Sequence, residues 1–333
     1  MGNEKLPRLR RQLGLELAPG FFAVLLLMFA GAASGASAIA DAAQDGDTGS
    51  VRSLIAAGSD VNLTANDGSS ALLWATYHAD SELVAELIAA GADPNLANNY
   101  GVNPLLQASS TGDAAVLAVL LEAGADTEVT FPEGATPLMA AALTGRIEAV
   151  QVLLDHGADP NAADAYQQQT ALMWAAAEGH LDTVDALLNA GADPNQQARV
   201  NELTKRANTD FPTGGFSALM FATRNGHAAV TQRLVDGGAD LDLRNGDDAT
   251  AMMIAIVNDR FDLAVSLLEM GADANDGSLY YAVDMHDMTT DVHTRDGSRL
   301  RHDHDNEHSS LDLIRIYLEA GADPNKVRSG AMH

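Results

Sequence analysis

Cysteine is absent from the chain, which excludes disulfides, a cysteine nucleophile, thiolate metal sites and a lipid-modified N-terminal cysteine. Positive charge is scarce: 19 Lys and Arg stand against 46 Asp and Glu, a formal net charge of −27 over 333 residues. A field of that sign repels phosphate backbones and anionic lipid headgroups. It argues against nucleic acid and a membrane surface as partners of the folded part, and it favours a protein partner with a basic surface. The usual catalytic signatures are missing too. The chain has no G-x-S-x-G elbow, no P-loop, no H-E-x-x-H and no G-x-G-x-x-G in a strand-to-helix setting, so no reaction and no cofactor is expected.

Long apolar runs are also lacking. The run from Phe21 to Ala33 has thirteen residues, short of the roughly 20 that span a bilayer. It follows a basic stretch (Lys5, Arg8, Arg10, Arg11) and precedes Ala36-Ser37-Ala38, which fits an A-x-A cleavage site. Basic start, apolar middle and small-residue end are the layout of a secretory signal peptide. Residues 1–38 are therefore expected to be a leader, and the mature chain to start near Ile39. An uncleaved anchor is the alternative, and Arg10-Arg11 leaves the general and twin-arginine routes both open. Cleavage would remove four cations and two carboxylates and leave a net charge of −29. The expected location is periplasmic or extracellular, with no membrane contact by the mature chain.

What the chain does have is a repeat. Gly-Ala-Asp or a near copy begins at Gly58, Gly91, Gly124, Gly157, Gly191, Gly238, Gly271 and Gly321, with gaps of 33, 33, 33, 34, 47, 33 and 50 residues. A period of 33 is the mark of stacked helix-pair units. Within each unit a Thr or Ser stands before a Leu-x-x-Ala pattern, as in Thr136-Pro-Leu-Met-Ala-Ala141 and Thr170-Ala-Leu-Met-Trp-Ala175. The hydroxyl can cap a first helix, and the small residues let neighbouring units approach closely. A mid-repeat glycine, as in Gly112-Asp113 and Gly145-Arg146, breaks the chain between the two helices. Second helices carry apolar residues at helical spacing, such as Val150, Leu153 and Leu154. The closing glycine suits a left-handed C-terminus, and Asp-Pro-Asn turns the chain into a hairpin.

These residues resemble the ankyrin repeat in its bacterial form, over residues 39 to about 325. The resemblance implies an all-α fold: a solenoid of helix-turn-helix units with β-hairpin loops, about eight repeats in one domain, 39–333. The first unit, Ile39 to Asn62, reads as an N-terminal cap. The next six begin near Ala65, Asn98, Phe131, Ala165, Pro212 and Asn245, and the eighth near Asp276. The histidine that often follows Thr-Pro-Leu in the family is Leu73, Leu106, Met139, Met173, Met220 and Met253 here, so apolar packing must replace its hydrogen bonds.

In ankyrin proteins the concave side, built of hairpin tips and the exposed ends of first helices, holds the partner. Carried over by repeat phase, the resemblance places Tyr77, His78, Asn99, Tyr100, Leu143, Tyr166, Gln167, Phe216 and Arg224 there, with Asp67 and Glu133 among them. Exposed aromatics supply large contact area at low entropy cost. The expectation is a monomeric protein-interaction scaffold or accessory factor. Trp74, Trp174 and Phe221 occupy equivalent places and read as core. The eight repeat aspartates read as turn caps.

The gaps of 47 and 50 mark insertions at 199–212 and 285–308. The first is expected at a hairpin tip. The second is expected between the helices of the eighth repeat, interrupting neither. It holds half of the ten histidines. His302, His304 and His308 are closely spaced imidazoles that could bind a divalent metal, but no fixed spacing matches a known site, and the segment reads first as a solvated polar loop. A metal-binding accessory protein is therefore the alternative function.

Overall fold

The computed structural model describes residues 37–201, 213–287 and 306–325. Residues 1–36 of the expected leader (1–38), the body of the first insertion, most of the second and the residues after 325 lie outside these. Within the described residues the architecture is helical, in pairs that follow the repeat. The first four pairs are α1 (Ala38–Gln44) and α2 (Thr48–Ala56), α3 (Ala71–Tyr77) and α4 (Ser81–Ala89), α5 (Pro104–Thr111) and α6 (Ala114–Glu122), and α7 (Pro137–Thr144) and α8 (Ile147–Asp155). The next four are α9 (Ala171–Glu178) and α10 (Leu181–Asn189), α11 (Ala218–Asn225) and α12 (Ala228–Asp236), α13 (Ala251–Val257) and α14 (Phe261–Glu269), and α15 (Ser278–Asp287) and α16 (Ser310–Glu319).

Two compact units emerge. One holds the described residues up to Ala175 together with Asn189–Ala192; the other holds Ala176–Leu188 and the described residues from Asp193 on. Within each, neighbouring first helices pack on one another, as α3 does on α5, α5 on α7 and α11 on α13, and second helices do so too, as α4 does on α6 and α6 on α8. Leu153 and Val150 on α8, and Leu234 on α12, are fully or almost fully excluded from solvent. Truncating such a leucine to alanine costs about 2–5 kcal/mol.

The expected caps form. Hydroxyls of Ser70, Thr136, Thr170, Ser217 and Thr250 accept from the backbone N–H three residues on, at 3.2–3.4 Å. Asn103 does the same at 2.9 Å. The closing glycine of all eight units has positive φ. Each of the eight repeat aspartates, from Asp60 to Asp323, accepts from the backbone N–H two residues later.

The asparagine of Asp-x-Asn does more than turn the chain. Asn62 donates from Nδ2 to Gly91 O at 2.9 Å and accepts from Asp93 N–H at 2.8 Å. Asn95 repeats this on Gly124 and Asp126, and Asn195 on Gly238 and Asp240. Each of these amides thus satisfies one carbonyl and one N–H of the following repeat.

The hairpin loops carry little ladder. Isolated bridges pair Thr64 with Ser70 and Ala163 with Thr170. A two-residue strand β1 (Val200–Asn201) pairs antiparallel with β2 (Thr213–Gly214), so the chain enters and leaves the first insertion side by side, as at a hairpin tip. The second insertion departs from its expected bounds. Helix α15 runs through Asp287 and so takes in the first three residues of the 285–308 segment, whose remainder falls before α16. Its other end is anchored on α14: Asn306 Oδ1 accepts from the N–H groups of Phe261 (3.1 Å) and Asp262 (3.5 Å), and Asn306 Nδ2 donates to Asp259 O at 2.9 Å.

Candidate functional site

In the first unit the expected partner-facing residues fall into two groups. Tyr77 closes α3 and is half-buried, with Trp74 edge-on to it at 5.7 Å and the His78 ring edge-on at 5.4 Å. His78 is exposed, and its Nε2 lies 3.1 Å from Gln44 O of the preceding repeat. A carbonyl only accepts, so Nε2 carries the proton. Leu143, in the last turn of α7, is half-buried.

The hairpin-tip residues form the second group. Tyr100 and Tyr166 are 43% and 48% exposed. Their backbones are fixed from beneath: buried Asn98 accepts from Tyr100 N–H at 3.0 Å, and buried Asp164 accepts from Tyr166 N–H at 2.8 Å and Gln167 N–H at 2.6 Å. Each tyrosine is thus an exposed aromatic on a rigid turn. Asn99 has a structural task as well. Its N–H and Nδ2 donate to Asp67 O (2.9 Å) and Asn66 O (3.2 Å), tying one tip to the next.

Trp74 and Trp174 are 4% exposed and belong to the core, as does Phe221. Trp174 donates its indole N–H to Gln169 Oε1 at 2.9 Å. The corresponding Trp74 N–H is buried with no acceptor among the described residues.

In the second unit Phe216 and Arg224 come together, and Phe221 joins them. The Phe216 and Phe221 rings are 5.3 Å apart. The Arg224 guanidinium carbon stands 5.3 Å from the first centroid and 5.1 Å from the second. This is a cation–π arrangement that immobilises a long side chain. Burial pulls the Arg224 pKa below the ordinary guanidinium range. Beside it, Asn225 Nδ2 donates to Ala177 O at 2.6 Å, and His227 Nε2 lies 3.0 Å from the same oxygen. Burial lowers the His227 pKa, and nearby Arg260 and His180 press it the same way against the Ala177 bond. Burial raises the carboxyl pKa of half-buried Glu178. Phe221, expected in the core alone, also supports Arg224 with its ring. The signal was the spacing of Phe221 and Arg224, three apart on one helix face.

Of the candidate metal ligands, His302 and His304 lie outside the described residues. His308 is engaged: its Nδ1 is 2.8 Å from Asp262 Oδ1, and its backbone N–H donates to the same oxygen at 2.9 Å. Among the described residues no group of three His, Cys, Asp or Glu could hold a metal ion, and no helix is long and apolar enough to cross a membrane.

Comparison with curated proteins returned no match. Among solved structures, the human ASB11 ankyrin repeat domain is similar at 26% identity and a TM-score of 0.58, covering 71% of this chain and 99% of its own. The ankyrin repeat domain of Bcl-3, a member of the IkappaB protein family, is similar at 27% identity and a TM-score of 0.60, covering 71% and 100%. The ankyrin repeat family model matches in three copies, over residues 39–131, 123–198 and 199–278. With the 33-residue period, the capped helix pairs and this match together, the chain belongs to the ankyrin repeat family.

Proposed function

We propose that this protein is an exported interaction scaffold that binds a partner protein through the face made of hairpin tips and first-helix ends. Ankyrin repeat domains mediate protein–protein interactions, and the reading narrows that role to particular residues. The observation that carries it is the pair Tyr100 and Tyr166: large, exposed and held on turns whose N–H groups are satisfied from below. Side chains that lose little freedom on binding are the ones that become anchors. Tyr77 and Leu143 extend the apolar surface of the same unit, and Phe216 with Arg224 provides a second contact area in the other. Export rests on the basic, apolar and small-residue layout of residues 1–38.

The test is surface plasmon resonance against the partner across a salt series. Raised salt slows association, because the acidic field acts on encounter. Tyr100→Ala raises the dissociation rate, by about 1–2 kcal/mol in affinity. If Tyr77→Ala, Tyr100→Ala and Tyr166→Ala all leave binding unchanged while removal of 288–305 abolishes it, the face is assigned wrongly.

A further inference from the structure

The hairpin tips of the first unit carry acid and tyrosine in alternation. Asp67, Tyr100, Glu133 and Tyr166 recur at 33-residue intervals. The tips touch one another. Asn99 bonds to the tip before it. A Cβ on Gly101 would lie 3.7 Å from Pro132, and one on Gly134 would lie 2.6 Å from Ala165. The four residues therefore belong to one packed edge.

The two acids of this edge are not equivalent. Both Asp67 oxygens are engaged at 2.9 Å, by the N–H and the hydroxyl of Ser69. Glu133 Oε2 is shielded from water and has no donor within the described residues. A carboxylate oxygen removed from water without a donor is unfavourable. Glu133 as a whole is only partly buried, so its carboxylate lies within reach of a donor arriving from outside. The field around it selects the donor. Between residues 37 and 175 eighteen carboxylates face two arginines, and one of those, Arg52, is bound to Glu82 and Glu86.

We infer that this edge is a receptor for a lysine or arginine on an extended, basic segment of the partner protein. The cationic head donates to Glu133, and its charge and stem lie against the Tyr100 and Tyr166 rings, which flank Glu133 in register. Charge-assisted hydrogen bonding and cation–π attraction then act on one group. With helices about 8–10 Å apart, Tyr–Glu–Tyr spans roughly 16–20 Å. That is about five or six residues of extended chain at about 3.3 Å each. The recognised element is thus one cation with two or three residues on either side. The inference rests on the function proposed above and names the partner's chemistry.

Fluorescence anisotropy of the full chain tests it, with a labelled Gly/Ser peptide of about fifteen residues carrying spaced lysines and a counterpart carrying glutamines. The lysine peptide binds and the glutamine peptide does not. Glu133→Gln weakens lysine-peptide binding by about tenfold or more, and Tyr100→Ala with Tyr166→Ala weakens it by about threefold to tenfold. Glu148→Gln, the same charge change at an exposed site on α8, changes it less than about twofold. Circular dichroism of each variant confirms the fold. Equal losses for Glu133→Gln and Glu148→Gln, or no preference for lysine over glutamine, overturn the inference. Loss in Tyr77→Ala and Leu143→Ala with Glu133→Gln unaffected overturns it and leaves the wider face assignment standing. Lysine-peptide binding that is indifferent to every one of these substitutions removes both.

Discussion

The turn between the two helices of a repeat is built in two ways. In the first three repeats the residue just before the second helix is Asp47, Asp80 or Asp113, and the carboxylate caps that helix by accepting from Ser50, Leu83 or Val116 N–H. In the fourth, sixth and seventh the same position is Arg146, His227 or Arg260, with no side-chain cap bond. These longer side chains reach back instead. His227 lies over Gly179, Arg260 over Gly226 and Arg146 over Gly112. Arg260 also donates to Asn225 O at 3.1 Å. One backbone position therefore serves either its own helix or the repeat before it.

The preceding glycine shows which use applies. A Cβ on Gly112 would meet Arg146 Cγ at 2.3 Å, whereas one on Gly46 would meet nothing within 4 Å. At the matching place in the second repeat stands Ala79, left-handed at φ 56°. An alanine fits there because Asp113 of the next repeat turns inward to cap its own helix. Left-handed backbone costs a residue with a Cβ about 1–2 kcal/mol, and crowding adds to that only where the next repeat reaches back.

The largest expected effect follows directly. Gly112→Ala should lower unfolding stability by about 2–3 kcal/mol, and Gly46→Ala, with the same φ of 71°, by about 1 kcal/mol. Urea denaturation followed by circular dichroism reads both. Equal losses would mean that backbone strain alone matters and that Arg146 gives way freely.

The caps come next. Asp113→Ala should cost about 1 kcal/mol. In the seventh repeat Arg260 leaves α14 uncapped, and Asn306 fills the place from 45 residues away. Asn306→Ala should therefore cost about 1–2 kcal/mol, as a local cap would. Replacing only 288–305 with a short link, keeping Asn306 and His308, should change the melting temperature little, because lengthening a surface loop costs little closure entropy. A large drop on that replacement, with Asn306→Ala silent, would show that the insertion and not its anchor supports the eighth repeat.

The smallest effects depend on pH, and two carboxylates of the second unit oppose each other. Burial disfavours the charged form of Asp262, but hydrogen bonds from Glu307 N–H and from the ring and N–H of His308 outweigh it and hold its pKa below the ordinary range. Its stabilising contribution is present above the unfolded-state carboxylate pKa and is lost as pH falls through the lowered folded value. Burial raises the pKa of Asp276 despite its bonds from Thr250 and Ser278. Its ionisation costs stability at neutral pH, and that cost fades as pH falls through the raised value. Asp262→Asn should flatten the acid limb of a stability–pH curve, and Asp276→Asn should raise stability at pH 7. The opposite signs would refute the hydrogen-bond account.

Much of this was legible in the sequence, because the ankyrin period makes each local rule recur. Thr136 and Thr170 were readable as caps, the closing glycines as left-handed residues and the eight aspartates as turn acceptors, each from its own neighbours along the chain. What escaped is longer in range. The Asp-x-Asn spacing was visible, but its second residue bonds about 30 residues ahead, where turn rules do not reach. Asn306 caps a helix across an insertion, and no local pattern announces it. Ala79 and Asp259 take left-handed φ with no glycine to mark them. Of the site, Tyr100 and Tyr166 were found by phase alone. The support of Arg224 by Phe221 had only their three-residue spacing on one helix face as a sign, since a phenylalanine at a core position does not itself announce a cation on its outer edge.

The central claim, that the hairpin-tip face holds a protein partner, is tested most directly by photocrosslinking in the native host. A photoreactive amino acid is placed in turn at Tyr100, at Tyr166 and at Glu148, which is exposed on α8. The account predicts that the two tip positions capture one and the same protein and that Glu148 captures none. Capture of that protein from Glu148, with both tip positions empty, would contradict it.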